Sequence, residues 1–262
     1  MPIVANVAKQ RLAAGGLALG LGLRQARTVD IAMIAKTSGF DWLFIDCEHN
    51  AMDLGTAVEI SVAALGLKIT PLVRVPGKEH HHATRVLDNG AMGVVVPHVE
   101  TAEEAAKIVE NCKYPPVGHR SIARAAPQVH FEPLPIDEFC RSINDNTLVV
   151  VMLESPRAIE NADAIAAVEG VDVLLIGSND LCAEMGIHGQ FGHERVADAY
   201  AAVIAACANH SKYAGMAGIR DDELAAKYIG MGARFVQAAV DVALLMEAGK
   251  RRTGYLRGLN PA

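Results

Sequence analysis

Charged and imidazole side chains stand directly after several short apolar runs of this sequence. Residues 46–49 (Asp-Cys-Glu-His) follow one run, Arg74 ends a second, and Glu154 follows a third. Residues 177–180 (Gly-Ser-Asn-Asp) follow a fourth, and residues 22–25 (Gly-Leu-Arg-Gln) end a further one. If the runs are parallel strands, their carboxyl ends meet at one edge and bring these side chains together. Such a set is suited to metal-assisted acid–base chemistry.

Glu154 and Asp180 follow consecutive runs, so their carboxylates are expected to lie near each other. Two protein carboxylates, completed by water and a chelating substrate, are a common way to hold Mg²⁺ or Mn²⁺. The alternative is structural, with Glu154 capping the helix that starts at Pro156 and Asp180 capping a short helix of its own. Because the two acids occur together on adjacent strand ends, we predict a metal site.

His49 is the candidate general base, because an unperturbed imidazole titrates near neutral pH. Asp46 and Glu48 could orient its ring; the alternative is that His49 is an ordinary surface residue. Arg74, at the end of a buried strand, needs an anionic partner. A substrate carboxylate is the functional candidate for that partner, and a structural pair with Glu48 is the alternative.

The residues that Schiff-base catalysis and phosphate binding require are not found at this edge. A Schiff-base aldolase needs a lysine at a strand end, and the nearest candidate is Lys78, in the loop after the third run. No glycine-rich phosphate cradle occurs, which disfavours nucleotide cofactors and phosphorylated substrates. The five cysteines are expected to pack as small core residues, with Cys47 inside the predicted site.

The elements that must position these residues are eight short apolar runs, each followed by a helical pattern. Most runs are continuous rather than alternating, which is typical of strands covered on both faces. Eight strand–helix units in strict alternation predict an α/β fold, the (β/α)8 TIM barrel, with a doubly wound open sheet as the alternative. The predicted strands cover residues 17–23, 42–45, 72–75, 93–96, 148–153, 173–176, 213–217 and 235–239.

Several helices carry recognisable start signals. Thr101 and Glu104 form a capping box for a helix over 101–113. Ser155 and Pro156 predict the start of a helix over 157–168. The proline-rich residues 115–146, with a weak helix over 136–143, predict a long loop across one face of the barrel. Further helices are predicted over 28–38, 193–210 and 221–231.

Composition limits the possible partners. The chain has 262 residues, 51% of them hydrophobic, and a formal charge of −6. An acidic chain without a basic stripe argues against a nucleic-acid partner. No run is long enough to cross a bilayer, no signal layout opens the chain, and the dispersed cysteines fit a reducing compartment. We therefore expect one cytoplasmic domain over residues 1–262, with no membrane partner.

Six segments, in order along most of the chain, resemble the HpcH/HpaI hydroxy-ketoacid aldolases, the class II (metal-dependent) pyruvate aldolases. The resemblance implies a TIM barrel that swaps its last helix with a neighbour and forms hexamers as trimers of dimers. It implies a divalent cofactor (Mg²⁺, Mn²⁺ or Co²⁺) and reversible cleavage of a 4-hydroxy-2-oxo acid into pyruvate, or a related 2-oxo acid, and an aldehyde. The segments are GFDWLFIDCEH (39–49), PLVRV (71–75), LDNGAMGVVVPHVETAEEA (87–105), KYPPVGHRS (113–121), the glutamate of VVMLES (150–155) and VEGVDVLLIGSNDL (168–181).

The resemblance also implies a role for each matching residue. Glu154 and Asp180 would be the metal ligands. Arg74 would stabilise the enolate oxygen and contact the substrate. His49 would act as the base through a water molecule, with Asp46 beside it.

Two further groups of residues follow from the same resemblance. Asp88 matches a position that assists the histidine, yet it precedes the fourth strand, at the wrong end of its own barrel. We therefore expect Asp88 to reach a site only from an adjacent subunit. The backbone amides of Asn179 and Asp180 would hold the substrate carboxylate, with Ser178 beside them.

The sequence departs from the family pattern at four places. Residues 177–181 read GSNDL instead of the common GPADL, and Met152 stands where glutamine is usual. Ser121 replaces the glycine after the YPPxGxR arginine, and strand one ends in GLGLRQ without the tryptophan of better-known members. The metal ligands and base are intact, but we expect Arg24 and Gln25 to contact a polar or anionic part of the aldehyde.

Two other functions stay open. A lyase of the citramalyl-CoA or malyl-CoA type would need a basic patch for the CoA phosphates, for which the segment after the fourth strand offers Lys113, Arg120 and Arg124. A non-catalytic barrel that binds a metal ion and an oxo acid is the third possibility. It ranks last, because mere binding needs no base beside an enolate-stabilising arginine.

Overall fold

The computed structural model describes residues 3–259, in which eight parallel strands close into a barrel. Each strand pairs with the next one in sequence, and β8 (Phe235–Val240) pairs with β1 (Ala18–Leu23). The predicted TIM barrel is therefore confirmed, and the open doubly wound sheet is excluded. The other strands are β2 (Trp42–Asp46), β3 (Thr70–Arg74), β4 (Gly93–Val96), β5 (Leu148–Leu153), β6 (Val173–Gly177) and β7 (Tyr213–Ala217).

Twelve α-helices occur within residues 3–259, and most of them cover the outside of the barrel. All eight predicted strands are present, with small shifts at their ends, and β2 to β6 are buried along their whole length. The helices are α1 (Val7–Ala13), α2 (Ile31–Thr37), α3 (Leu54–Gly66), α4 (His80–Leu87), α5 (Ala102–Cys112), α6 (Ile136–Asn146), α7 (Pro156–Glu160), α8 (Ala162–Ala166), α9 (Ser178–Glu184), α10 (Glu194–Asn209), α11 (Asp222–Met231) and α12 (Asp241–Gly258).

The predicted helix starts are present, but one predicted helix is broken. The Thr101 side chain accepts a hydrogen bond from the Glu104 backbone N–H, and the Ser155 side chain accepts one from Ala158. The helix predicted over 157–168 is instead the pair α7 and α8. They separate at Asn161, whose side-chain amide donates to the Glu100 carbonyl rather than facing solvent.

The barrel interior is filled from the end where the strands begin. The stacked rings of Trp42 and Phe235, 4.1 Å apart, lie inside the barrel, and Leu12 of α1 belongs to the same buried cluster. Gly20 of β1 leaves room for the indole, since a Cβ there would lie 2.2 Å from the Trp42 ring. This packing closes the amino-terminal end and leaves the carboxyl ends of the strands for a site.

The predicted long loop covers that same amino-terminal end. The Gln128 side-chain amide donates to the carbonyls of Leu87 and Ala91, which directly precede β4. Within the segment, α6 extends three residues beyond the predicted 136–143 and buries Phe139 against Tyr114. The segment is therefore a small structural layer opposite the carboxyl ends of the strands.

Helix α12 is unusual because none of its residues is buried. It contacts the barrel along β1 and β8. Among its exposed large apolar side chains are Leu244, Leu245, Met246, Tyr255 and Leu256. Across residues 3–259, the helices all lack the combination of length and hydropathy that spanning a bilayer requires.

Candidate active site

A cavity of about 170 Å³ opens at the carboxyl ends of the strands. It brings together predicted residues from β1, β3, β5, β6 and the loop after β2, as the barrel topology requires. The lining residues are Arg24, Phe44, His49, Arg74, Met152, Glu154, Gly177, Ser178, Asn179, Asp180, Ala217, Gly218 and Gln237.

Arg74 is held rigidly at the base of this cavity. Its Nε and Nη2 donate to the two carboxylate oxygens of Asp46 at 2.9 and 2.6 Å, and Nη1 lies 2.9 Å from Glu48 Oε2. Its guanidinium also lies over the Phe44 ring, 4.9 Å from the centroid. The structural pair with Glu48 is thus present, and Arg74 also lines the cavity, so its role toward a substrate stays a prediction.

Asp46 is the anchor of this end of β2. Burial alone would raise its pKa, but the hydrogen bonds and charge of Arg74 outweigh burial and lower the pKa. Asp46 also accepts hydrogen bonds from the backbone N–H groups of Glu48 and His49, and lies 3.3 Å from Arg24 Nε. It therefore orients the turn that carries His49 rather than the imidazole itself.

The His49 ring lies at the mouth of the cavity. Its side chain is 45% exposed, and Nε2 is 3.6 Å from Glu48 Oε2. Glu48 is thus the carboxylate beside the ring, while its same oxygen contacts Arg74. The accessible imidazole and the carboxylate beside it favour the interpretation of His49 as a general base over that of an ordinary surface residue.

Glu154 and Asp180 are both free of the capping roles that were the alternative. Ser155 caps α7, and the residue at the N-cap of α9 is Gly177, with no side-chain cap. Glu154 is only 3% exposed, and its pKa is raised, first by burial and further by the charge of Asp180, against the opposing effect of His98.

The two carboxylates fit a divalent cation. A Cβ on Gly177 would lie 2.5 Å from Glu154 Oε1, so the glycine leaves room for this carboxylate on the β6 side, next to the helix that carries Asp180. Their mutual repulsion is what a bound cation relieves, and oxygen donors suit Mg²⁺ or Mn²⁺. No group of three or more His, Cys, Asp or Glu side chains forms a metal cluster in residues 3–259, so water and substrate would complete the coordination.

The start of α9 follows β6 directly and lines the cavity with residues 178–180. The Ser178 hydroxyl is buried and lies 2.9 Å from the Tyr200 hydroxyl, so its side chain faces α10 rather than the cavity. The Asn179 side chain packs against Gly218. A Cβ on Gly218 would lie 2.9 Å from Asn179 Nδ2, and the φ of Gly218 is +89°. Residues 178–180 therefore line the cavity as predicted, but without the Ser178 hydroxyl.

Residues 24–248 match the family model described as HpcH/HpaI aldolase/citrate lyase. The chain belongs to the HpcH/HpaI aldolase/citrate lyase family. It is 42% identical over 246 residues to a 4-hydroxy-4-methyl-2-oxoglutarate aldolase of Hapsidospora irregularis, covering 92% of this chain and 90% of that protein. It is 34% identical over 250 residues to a hydroxypyruvate/pyruvate aldolase of Roseobacter denitrificans, covering 95% and 96%.

A solved structure supports the same membership. The crystal structure of an HpcH/HpaI aldolase from Desulfitobacterium hafniense DCB-2 superposes with a TM-score of 0.92 at 30% sequence identity. The match covers 98% of this chain and all of that one. The barrel and the order of its strands are therefore those of the HpcH/HpaI family.

Sequence reasoning missed two residues of this part of the barrel, one that contacts Glu154 and one that lines the cavity. His98 follows β4, and its backbone N–H donates to Glu154 at 2.9 Å. The available signal was the position of His98 just after an apolar run. Gln237 lies inside β8 and lines the cavity; a polar residue within an apolar run was the signal there.

Asp241, directly after β8, was also missed. Its carboxylate accepts hydrogen bonds from the backbone N–H groups of Arg24, Gln25 and Ala26, at 3.1, 2.8 and 2.7 Å. Asp241 begins α12 and also fixes the loop that carries Arg24 into the cavity.

Some residues expected near the site lie elsewhere. Asp88 pairs with Arg120 at the amino-terminal end of its own barrel, as its position before β4 predicts. Lys78 pairs with Glu104 at 2.6 Å and does not line the cavity. The expectation for Cys47 was wrong: its side chain lines a separate cavity between α3 and α4, and burial raises its pKa to about 11.

Two of the three basic residues that a CoA ester would need are buried. Lys113 is buried, and its ammonium donates to the backbone carbonyls of Asn144 and Thr147 at 2.7 and 2.6 Å. Arg120 is buried over the Tyr114 ring. Both lie in the layer at the amino-terminal end of the barrel, away from the cavity.

Proposed function

We propose that this protein is a metal-dependent aldolase that reversibly cleaves a 4-hydroxy-2-oxo acid into pyruvate, or a related 2-oxo acid, and an aldehyde. Family membership and relatives at 34–42% identity place it among the carbon–carbon lyases. The observation that carries the mechanism is the meeting of Glu154, Asp180, Arg74 and His49 around one cavity.

Glu154 and Asp180 would hold the divalent ion, with Mg²⁺, Mn²⁺ and Co²⁺ as the candidates. When bound there, such an ion supplies Lewis-acid polarisation of the 2-oxo group. The backbone N–H groups of Asn179 and Asp180, in the first turn of α9, would hold the substrate carboxylate. Ser178 shapes this turn through its contact with Tyr200 and contributes no hydroxyl to the substrate.

The remaining residues move the proton and stabilise charge. His49, acting through a water molecule, takes the proton of the C4 hydroxyl, and the C3–C4 bond breaks as the C4 carbonyl forms. The electron pair stays on C3, and the resulting enolate charge lies beside the Arg74 guanidinium. Return of a proton to C3 gives pyruvate, and the reverse steps make the bond. Asp46 and Glu48 keep Arg74 in place throughout.

The aldehyde would lie toward Arg24. A second cavity of about 270 Å³ shares Arg24, Asn179, Gly218 and Gln237 with the first and extends toward α12. The names of two relatives refer to 4-hydroxy-4-methyl-2-oxoglutarate, an oxo acid with a second carboxylate. Arg24 could pair with such a group, which makes it the candidate specificity residue.

Retro-aldol activity tests this function. We expect the activity to be lost in EDTA and restored by Mg²⁺, Mn²⁺ or Co²⁺. Borohydride in the presence of pyruvate should leave the enzyme active, since Lys78 is engaged with Glu104 outside the cavity. Activity that resists EDTA and is trapped by borohydride would point to a lysine mechanism instead.

The two alternative functions are tested on the same protein. Cleavage of malyl-CoA in a coupled assay would favour the thioester lyase, for which the buried Lys113 and Arg120 give no support. Binding of metal and oxo acid without turnover, across a panel of hydroxy-oxo acids, would favour a non-catalytic barrel.

We also propose a homohexamer, a trimer of dimers, in which α12 packs on a neighbour. The support is the apolar, unburied face of α12 within residues 3–259. Asp88 would then complete the site of an adjacent subunit. Mixed oligomers of Asp88→Asn and Glu154→Gln subunits should regain activity that neither variant has alone.

Two further expectations stay predictions. They are that one domain covers residues 1–262 and that the protein is cytoplasmic.

A further inference from the structure

His98 makes contacts that the proposed mechanism leaves unused. Its backbone N–H donates to Glu154 Oε2 at 2.9 Å, and its ring Nδ1 lies 3.4 Å from the same oxygen. Its Nε2 lies 3.7 Å from Glu48 Oε1. The imidazole therefore stands between the candidate metal ligand and the carboxylate beside His49.

We propose that His98 is a positioning residue that holds one oxygen of Glu154 and leaves the other for the metal ion. The inference rests on the proposed metal-dependent function. It concerns which residue prepares Glu154 for the ion, and it adds no step to the reaction.

The two oxygens of Glu154 have different surroundings. Oε2 faces His98, which supplies both the backbone N–H and the nearby ring nitrogen. Oε1 faces β6, since it is the atom that a Cβ on Gly177 would approach to 2.5 Å. The strand on that side leads directly into the helix that carries Asp180. The oxygen that His98 does not hold is thus the one toward the second carboxylate.

Burial makes this arrangement dependent on His98. Glu154 is 3% exposed, and a buried carboxylate needs hydrogen-bond donors. In residues 3–259, the hydrogen bond that Glu154 accepts comes from His98. Removing the ring leaves the backbone N–H but takes away the second contact that restrains the carboxylate. Such outer partners of metal ligands typically change metal affinity by about 10- to 100-fold.

The position of the ring does not suit direct metal coordination. Its Nδ1 lies nearest a Glu154 oxygen and its Nε2 nearest a Glu48 oxygen. A nitrogen that coordinates a metal ion must direct a lone pair at the ion, and each of these nitrogens lies toward a carboxylate oxygen instead. The ring is therefore placed beside the metal ligand rather than as a third ligand.

The backbone of His98 guides the choice of variants. It has φ of +52°, a left-handed conformation that glycine and asparagine adopt most readily. His98→Asn keeps a side-chain donor in this conformation, and His98→Gly removes the ring while retaining the backbone N–H. His130 is a matched control, because it is exposed, has φ of +54° and lies in the layer at the opposite end of the barrel.

The experiment is a titration of the metal-free full-length enzyme with Mn²⁺, followed by electron paramagnetic resonance. We expect His98→Phe and His98→Gly to weaken Mn²⁺ binding about 10-fold or more, and His98→Asn to retain most of the wild-type affinity. His130→Phe and His130→Gly should bind as the wild type does. The glycine variant keeps the test valid if the phenylalanine variant does not fold.

Two results would overturn the role of His98 while leaving the proposed function intact. One is wild-type Mn²⁺ affinity in both ring-deleted variants. The other is a nitrogen coupling to Mn²⁺ in the wild type that disappears on deletion of the ring, since it would make His98 a direct ligand. Absence of Mn²⁺ binding by the wild type itself would instead contradict the metal-dependent function on which the inference rests.

Discussion

Both ends of this barrel bury charged side chains, but the charges face different surroundings. At the amino-terminal end, Lys113 donates to backbone carbonyls and Arg120 pairs with Asp88 within the same layer. At the carboxyl end, the carboxylates of Glu154 and Asp180 face a cavity and repel each other. Burial and charge are common to both ends, so neither property alone identifies the site.

The difference lies in whether the protein itself balances the charge. Arg74 pairs with the carboxylates of Asp46 and Glu48, and at the other end Arg120 pairs through one nitrogen with Asp88. Glu154 has no cationic partner of comparable strength, and its pKa is raised. A buried acid left without a counter-ion costs stability, which a bound cation recovers. The unbalanced end is therefore the one arranged for a ligand.

The largest expected effect comes from removing the unbalanced charge. Glu154→Gln should lower retro-aldol turnover by at least about 10³-fold, because the metal loses a ligand. The metal-free variant should be as stable as the wild type or more so, since burial of the charge disappears, and Mg²⁺ should no longer raise its Tm. Enzyme assays and thermal melts with and without Mg²⁺ measure both effects.

Asp172→Asn is the matched control, because Asp172 lies before β6, at the opposite end of the barrel, where it contacts Lys9 and Lys113. It should alter stability and leave turnover close to the wild-type rate. Equal losses of turnover in the two variants would remove the distinction between the ends.

Arg74→Ala should reduce turnover by about 10²- to 10³-fold. Arg74→Lys should recover little of it, since an ammonium cannot reproduce the fork that joins Asp46 and Glu48. Steady-state kinetics of Arg74→Ala, with and without added guanidinium at a non-denaturing concentration, test whether the guanidinium group of Arg74 takes part in the reaction. Failure of guanidinium to restore any activity in a folded Arg74→Ala enzyme would indicate that Arg74 acts through the fold alone.

A smaller effect is expected at the outer part of the cavity. Arg24→Leu should raise the KM for an aldehyde that carries a carboxylate about tenfold, from the loss of one charge-assisted contact. The KM for an uncharged aldehyde should change less. Kinetics with glyoxylate and acetaldehyde make the comparison, and an equal change for both would exclude a charge-specific role.

The smallest effect on activity is expected at the amino-terminal end. Lys113→Met should leave turnover unchanged and cost about 1–3 kcal/mol of stability, because buried carbonyls lose their donor. Burial lowers the pKa of Lys113 to about 8 from its ordinary 10.5. Between these pH values the unfolded wild-type chain binds more protons than the folded protein does, so the free energy of unfolding rises with pH. The stability advantage of the wild type over Lys113→Met should therefore grow from pH 8 to 10.5. Denaturant melts across this range check the slope.

Much of the fold was predictable because apolar runs buried on both faces have few other interpretations. The break at Asn161 was not predictable, since it depends on a hydrogen bond to Glu100, far away in sequence. The position of Asp88 at the far end of its own barrel followed from its place before β4, because strand direction fixes which loops share an end.

The site was predictable as a set of residues and less so as a set of contacts. Strand ends indicated Arg74, Glu154 and Asp180, and Glu48 was a candidate neighbour of Arg74 and of His49, but the sequence did not indicate that one Glu48 oxygen would contact both. Cys47 was placed wrongly because successive residues after a strand point in different directions, which spacing alone does not resolve. The orientation of Ser178 likewise depends on Tyr200, a tertiary contact outside the local sequence.

The carboxylate of Asp241 has a consequence for how the enzyme is made. It binds the loop after the first strand from a position near the end of the chain, at the seam where β8 closes on β1. A nascent polypeptide still emerging from the ribosome can form most strand pairs but cannot order Arg24 until residue 241 is available. The loop that carries Arg24 is therefore among the last parts of the barrel to become ordered.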